Sequence, residues 1–294
     1  MHYLSLLSLK IGRKARNSRA TAHRKPQTGR KRTTMARICF LTDATGSTDP
    51  IYDAMANSAM SIYNAANDAI DGALEATVIV YRDYSSPLEL FEISPAYTDA
   101  QRLKDFLSRV QTNAGNDDLD EAGEVALHHA LEGDYDLVVM IGDYETHSAS
   151  TLRHRYAHHG YEHSHVYAKR FAEKGVPVHT LAAKHKDGEI ARRSNVVADF
   201  QMIAELSGGA FGILGLEGGD VIDMVVTAII ASQGTQDDID AYMKAHGLSA
   251  DATNFVNQLV PAGDVANADI AQVAARRQRA AAPLQITKGD GFDE

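Results

Sequence analysis

Residues 37–47 read R-I-C-F-L-T-D-A-T-G-S. A short apolar run ends in an aspartate, and two hydroxyl residues come after it at alternate positions, giving Asp43, Thr45 and Ser47. The run has the length and composition of a buried parallel strand. A carboxylate and two hydroxyls at the carboxyl end of such a strand are hard oxygen donors, of the kind that hold Mg²⁺. The same residue types also cap helices, so the segment alone also reads as Asp43 and Ser47 capping the next helix.

Working outward, strand and helix patterns alternate. Residues 49–71 carry Ile51, Met55, Ala59, Ile62, Ala66 and Ile70 at helical spacing, with Pro50 suited to the first turn. Residues 76–81 read as a second strand, 88–93 as a short edge strand and 99–110 as a helix. A polar loop then leads into a helix over 119–131. Residues 136–141, the most apolar strand, end at Gly142 and Asp143. A His-rich segment and a helix to 174 come next, then a strand over 176–182 and a helix over 200–207 stopped by Gly208 and Gly209. A last strand over 211–216 and a helix over 221–232 complete the pattern. Such alternation predicts an α/β fold with a doubly wound, mainly parallel sheet and helices on both faces. Ligands bind such sheets at the carboxyl ends of strands. Asp43 and Asp143 follow strands directly and Asp118 lies in a loop at a helix N-terminus, so three acidic loops are expected to converge on one edge.

Composition divides the chain. Residues 1–34 hold ten Lys/Arg and no Asp/Glu, while the rest holds nineteen Lys/Arg against all thirty-nine Asp/Glu, a net charge of −20. An acidic body disfavours nucleic acid as a partner outside that basic head and suits divalent cations. The head reads as disordered, and as a transit-like leader, a nucleic-acid-binding arm or a segment foreign to the natural product. The compact domain is expected over 35–234, a small helical extension over 235–260, and a largely disordered tail over 261–294 with a helix near 270–280. No apolar run is long enough to span a bilayer. The single Cys39, inside an apolar strand, rules out an internal disulfide and suggests a reducing compartment. The expected location is the cytoplasm, or a mitochondrion or other organelle if the head is a leader.

Five segments, in order, resemble the von Willebrand factor type A (vWA) family. They are D-A-T-G-S, like that family's D-x-S/T-x-S metal motif; V-I-V-Y-R-D-Y; G-N-D-D-L-D-E-A; L-V-V-M-I-G-D; and F-Q-M-I-A-E-L-S-G-G. The resemblance covers about residues 36–232 and is to intracellular members. It implies a doubly wound sheet carrying a metal-ion-dependent adhesion site. Asp43, Thr45 and Ser47 would form the first ligand loop, Asp118 would sit in the second and Asp143 in the third. It further implies Mg²⁺, with Mn²⁺ or Ca²⁺ as alternatives, and one open position for an acidic group of a partner protein. The chain departs from the pattern in the second loop, where a Thr is usual. Thr112 lies slightly early and Asp117 competes with Asp118. Thr48 stands where Met is usual.

Six histidines fall within residues 147–165. His154 and His158, and His159 and His163, are each four apart and on a helix would share a face that could chelate Zn²⁺, Ni²⁺ or Cu²⁺. The plainer reading is a solvated, partly helical surface insert.

The leading functional reading is a protein-binding module without chemistry of its own. The alternatives are a metal-dependent hydrolase or phosphoryl-transfer enzyme, and a scaffold whose metal site is vestigial. Phosphoaspartyl enzymes want a second Asp two positions after the first, and Thr45 stands there. No P-loop, G-x-S-x-G or H-E-x-x-H motif occurs.

Overall fold

The computed structural model describes residues 35–70, 73–112, 120–184, 189–190, 194–215 and 218–261. The expectations for the 1–34 head, for Asp117 and Asp118, and for the tail with its helix near 270–280 lie outside the described residues.

Six strands, β1 (Met35–Asp43), β2 (Ala73–Tyr81), β3 (Phe91–Ile93), β4 (Leu137–Gly142), β5 (Val178–Ala183) and β6 (Phe211–Leu214), form one sheet. Their order is β3-β2-β1-β4-β5-β6, all parallel except the short β3, which runs antiparallel to β2. From β1 the chain winds outward to β3, then returns to β4 on the other side of β1 and winds the opposite way. The reversal puts the switch point of the sheet between β1 and β4, and open α/β sheets bind ligands at the carboxyl ends of strands at such a point. Thr42 pairs with Ile141, so Asp43 and Asp143 leave the sheet as close neighbours.

Along β1, alternate side chains enter opposite cores, as the two-residue period of a strand requires. Ile38 and Phe40 face helices α1 (Asp49–Ile70), α2 (Ala100–Leu107) and α7 (Gly218–Gln233). Cys39 and Leu41 face α3 (Gly123–Ala130), α5 (Ser164–Lys174) and α6 (Val196–Ser207). Between α3 and α5 lies the short α4 (Ala149–His154). Asp99 caps α2, accepting from the amides of Gln101 and Arg102. Gly208, at φ 82°, ends α6 in the left-handed conformation that glycine adopts at little cost.

The segment after Gly234 forms α8 (Gln236–His246) and α9 (Ala250–Val256), which pack against α7 and β6. Ile239, Phe255, Val256 and Leu259 are buried in the same core as α1 and α7. The Gln258 side-chain amide accepts from the Phe211 amide at 3.0 Å and donates to the Phe211 carbonyl at 2.8 Å.

Candidate metal centre

The expected first ligand loop takes shape as β1 ends. Asp43, Thr45 and Asp143 are all buried, at 2%, 3% and 0% exposure, while Ser47 is half-buried. Thr45 is extended, and Gly46–Thr48 then makes one 3₁₀ turn into α1. One oxygen of Asp43, Oδ1, accepts the Thr45 amide at 2.8 Å. The other, Oδ2, is buried and receives no hydrogen bond from the described residues. The Thr45 and Ser47 hydroxyl oxygens stand 3.2 Å apart. Thr48 holds this loop closed. Its buried hydroxyl lies 2.8 Å from the carbonyls of both Asp43 and Thr45.

Neighbouring strands brace the pair of aspartates. Tyr81 is the β2 partner of Asp43 and donates its hydroxyl to the Ile141 carbonyl at 3.3 Å. Gly142 leaves room for it, since a Cβ there would stand 2.7 Å from the Tyr81 hydroxyl and 3.5 Å from the Asp43 Cβ. Beneath the loop, the Tyr52 hydroxyl lies 2.7 Å from that of Thr42. Burial first, and then the Asp143 carboxylate beside it, pushes the Asp43 carboxyl well above the ordinary carboxylate range. Two buried like charges repel each other, and a divalent cation between them removes the conflict. The donor chemistry therefore fits a cation. Asp43, Thr45, Ser47 and Asp143 supply carboxylate and hydroxyl oxygens, which suit Mg²⁺ or Mn²⁺ better than a thiolate- or imidazole-loving metal.

Of the second-loop candidates, Thr112 is among the described residues, and its hydroxyl donates to Asp49 at the head of α1. Just before it, the carbonyl of Gln111 accepts from Arg82 Nε and Nη2 at 3.1 and 2.8 Å. Arg82 is fully buried at the end of β2, and it also donates to the Glu89 carbonyl at 2.8 Å and to Glu92 at 2.6 Å. Glu121 adds a further carboxylate that sequence reasoning did not assign. It is 2% exposed, and its charge acts on Tyr81 together with those of Asp43 and Asp143. The signal for it was present in the E-A pair of G-N-D-D-L-D-E-A.

A second polar cluster, unforeseen in the sequence, lies at the carboxyl ends of β2 and β4. His147 is fully buried with Nε2 3.2 Å from Asp83 and Nδ1 3.2 Å from Glu124. Burial opposes a charge on the ring, but the two flanking carboxylates overcome it and push its pKa up to about 10. Burial alone would raise Asp83, yet His147 and Ser85 hold it below its ordinary value. Tyr84 donates to Glu124 at 2.9 Å and stacks on Tyr156.

The histidine pairs expected on one helix do not share one. α4 ends at His154, residues Ala157–His159 form a separate 3₁₀ turn, and α5 begins only at Ser164 with His163 as its N-cap. The helix breaks because Tyr156 turns inward onto Tyr84 and Gly160 follows at φ 76°. His158 and His159 are exposed, as the surface-insert reading has it. His163 instead comes together with His165 and Asp199, one ligand atom of each lying within 4.8 Å of the others.

The fold is a doubly wound α/β sheet, five strands parallel and the short β3 antiparallel. The chain matches no protein-family model and no curated protein sequence. Among solved structures it is similar to the conserved hypothetical protein BatB from Bacteroides thetaiotaomicron, at 16% identity over 71% of this chain and 99% of that one, with a TM-score of 0.42. It is similar to a von Willebrand factor type A protein from Catenulispora acidiphila, at 13% identity and a TM-score of 0.44, over 68% of this chain but only 43% of that one. The SpRpn10 VWA domain aligns at 10% identity over 64% of this chain and 94% of that domain, with a TM-score of 0.43.

Proposed function

We propose that this chain is a divalent-cation-dependent protein-binding module. In this reading Asp43, Thr45, Ser47 and Asp143 hold Mg²⁺ at the top of the sheet, directly or through water, with the second loop completing the shell. An acidic group of a partner protein then takes the open position. The observation that supports this most directly is the buried Asp43 carboxyl, with one oxygen lacking a donor among the described residues, beside the buried Asp143. Binding is favoured over catalysis because Thr45 occupies the place where a phosphoaspartyl enzyme carries its second acid. No helix among the described residues is long and apolar enough to cross a membrane. With its lone buried Cys39, the protein suits a reducing compartment, and the cytoplasm is the proposed location.

The test is calorimetric titration of Mg²⁺ and Mn²⁺ into the full chain and into Asp43→Ala, followed by partner capture in Mg²⁺ and in chelator. One site that disappears in Asp43→Ala, with capture that needs the metal, supports the reading. Capture that persists equally in chelator would return the protein to the scaffold alternative.

A further inference from the structure

We propose that His163, His165 and Asp199 form a second, separate metal site that takes Zn²⁺. The three residues come from two elements. His163 caps α5, His165 lies in its first turn, and Asp199 lies in the first turn of α6. His165 Nε2 stands 2.9 Å from Asp199 Oδ1. One nitrogen of each ring and a carboxylate oxygen lie within 4.8 Å of one another. Tetrahedral Zn²⁺ with bonds of roughly 2.0–2.1 Å spaces its ligands roughly 3.4 Å apart. The trio therefore needs side-chain adjustment rather than backbone movement to close on an ion.

The surroundings support a built site over a chance ion pair. Asp199 Oδ2 is held from behind, accepting the Thr146 amide at 2.9 Å and lying 2.8 Å from the Thr146 hydroxyl. That leaves Oδ1 aimed at His165. Outer bonds of this kind orient metal-binding carboxylates and strengthen the site. The His165 and Asp199 side chains are 32% and 11% exposed, so an ion can enter yet is partly shielded from water. The rings of His163 and His165 meet edge to face with centroids 4.3 Å apart, so their nitrogens converge without stacking.

Donor type separates this site from the one built on Asp43. Two imidazole nitrogens and one carboxylate oxygen suit a borderline metal such as Zn²⁺, with a fourth position left for water or a partner's side chain. Mg²⁺ prefers oxygen ligands in octahedral array. The histidine-rich segment thus supplies ligands through residues two apart at a helix start rather than four apart along a helix.

The experiment uses the full chain, stripped with chelator and then titrated with Zn²⁺ against a chromophoric competitor. Co²⁺ is titrated in parallel for the visible bands of tetrahedral coordination. The expected result is one tight Zn²⁺ site that remains in Asp43→Ala and weakens about tenfold or more in His163→Ala and in His165→Gln. His165→Gln keeps a hydrogen-bond donor toward Asp199, so an unchanged metal-free melting temperature shows that its fold is intact. Tetrahedral Co²⁺ bands should vanish in the same two variants. Zn²⁺ binding that survives both substitutions, that follows His158→Ala and His159→Ala instead, or that is lost only in Asp43→Ala overturns the proposal.

Discussion

Arg82 and Gln111 are joined by two hydrogen bonds, from Nε and Nη2 of the guanidinium to one backbone carbonyl. The contact ties the end of β2 to the residue just before Thr112. Arg82→Met should leave that carbonyl and the Glu89 carbonyl without their donor, at a cost of about 2–4 kcal/mol. Urea unfolding of parent and variant measures this directly. A variant as stable as the parent would show that water replaces the guanidinium at no cost.

Asp43 and Asp143 bury two acids together, so metal-free stability and metal binding should move in opposite directions. Asp43→Asn removes one charge from the pair and should raise the melting temperature of the metal-free protein. It should also abolish the gain that Mg²⁺ gives the parent, about 2.7 kcal/mol at a hundredfold excess over Kd. Scanning calorimetry in chelator and in Mg²⁺ reads both. A metal-free Asp43→Asn protein less stable than the parent would mean that the pair is already relieved by other groups.

Thr48→Val keeps the shape of the side chain and removes its hydroxyl. The loop carbonyls of Asp43 and Thr45 lose their shared contact, and stability should fall by about 1–2 kcal/mol. Mg²⁺ affinity should fall with it although every proposed ligand remains. Calorimetric titration of Thr48→Val checks this, and unchanged affinity would confine Thr48 to a role in folding.

Gly142→Ala tests the space above Tyr81. The added methyl would sit 2.7 Å from the Tyr81 hydroxyl, and a tyrosine fixed between strands has little room to move. The expected cost is about 1–3 kcal/mol. Weakened metal binding should accompany it, because the methyl would also stand 3.5 Å from the Asp43 Cβ, just beyond the Phe200 ring at 3.3 Å. Metal affinity equal to the parent's would separate Tyr81 from the support of the site.

His147 makes stability depend on pH. Its ring is held charged up to about pH 10 in the fold, against an ordinary 6.5. Its contribution is therefore complete below 6.5, declines as the pH rises through that window and is gone above about 10. The slope reaches about 1.4 kcal/mol per pH unit. At the acid end the lowered Asp83 acts the other way, contributing above its ordinary 3.8 and failing as the pH drops through its folded value. Asp83, Glu124, Tyr84 and Tyr156 lie against the ring. Urea midpoints taken between about pH 7 and pH 9.5 should fall for the parent, and for His147→Gln should be lower and nearly flat.

Much of this architecture could be read from the chain because apolar runs and helical spacing are local signals. Asp43, Thr45 and Ser47 announce themselves by following such a run, and Asp143 does the same after β4. The Asp83–His147–Glu124 cluster could not be read this way. It buries three polar side chains brought together from separate segments, against the rule that polar residues face water, and no periodicity marks it. Thr48 was visible in the sequence only as a departure from a pattern, because its role lies in one hydroxyl directed at two carbonyls. His154, His158, His159 and His163 had helical spacing, but Tyr156 and Gly160 break the helix. The trio that does converge needs Asp199, thirty-four residues beyond His165.

Gln258 carries a consequence for where this protein can be cut. Its side chain offers Phe211 one donor and one acceptor, as a neighbouring strand would, so a single amide stands in for a missing strand at the outer edge of β6. Open strand edges recruit other chains. A fragment ending near residue 234 would lose that cover together with Phe255, Val256 and Leu259, baring an apolar surface beside an unpaired edge. Self-association of such a fragment would then reflect the uncapped sheet rather than any natural partner, and α8 and α9 belong in every fragment meant to report on binding.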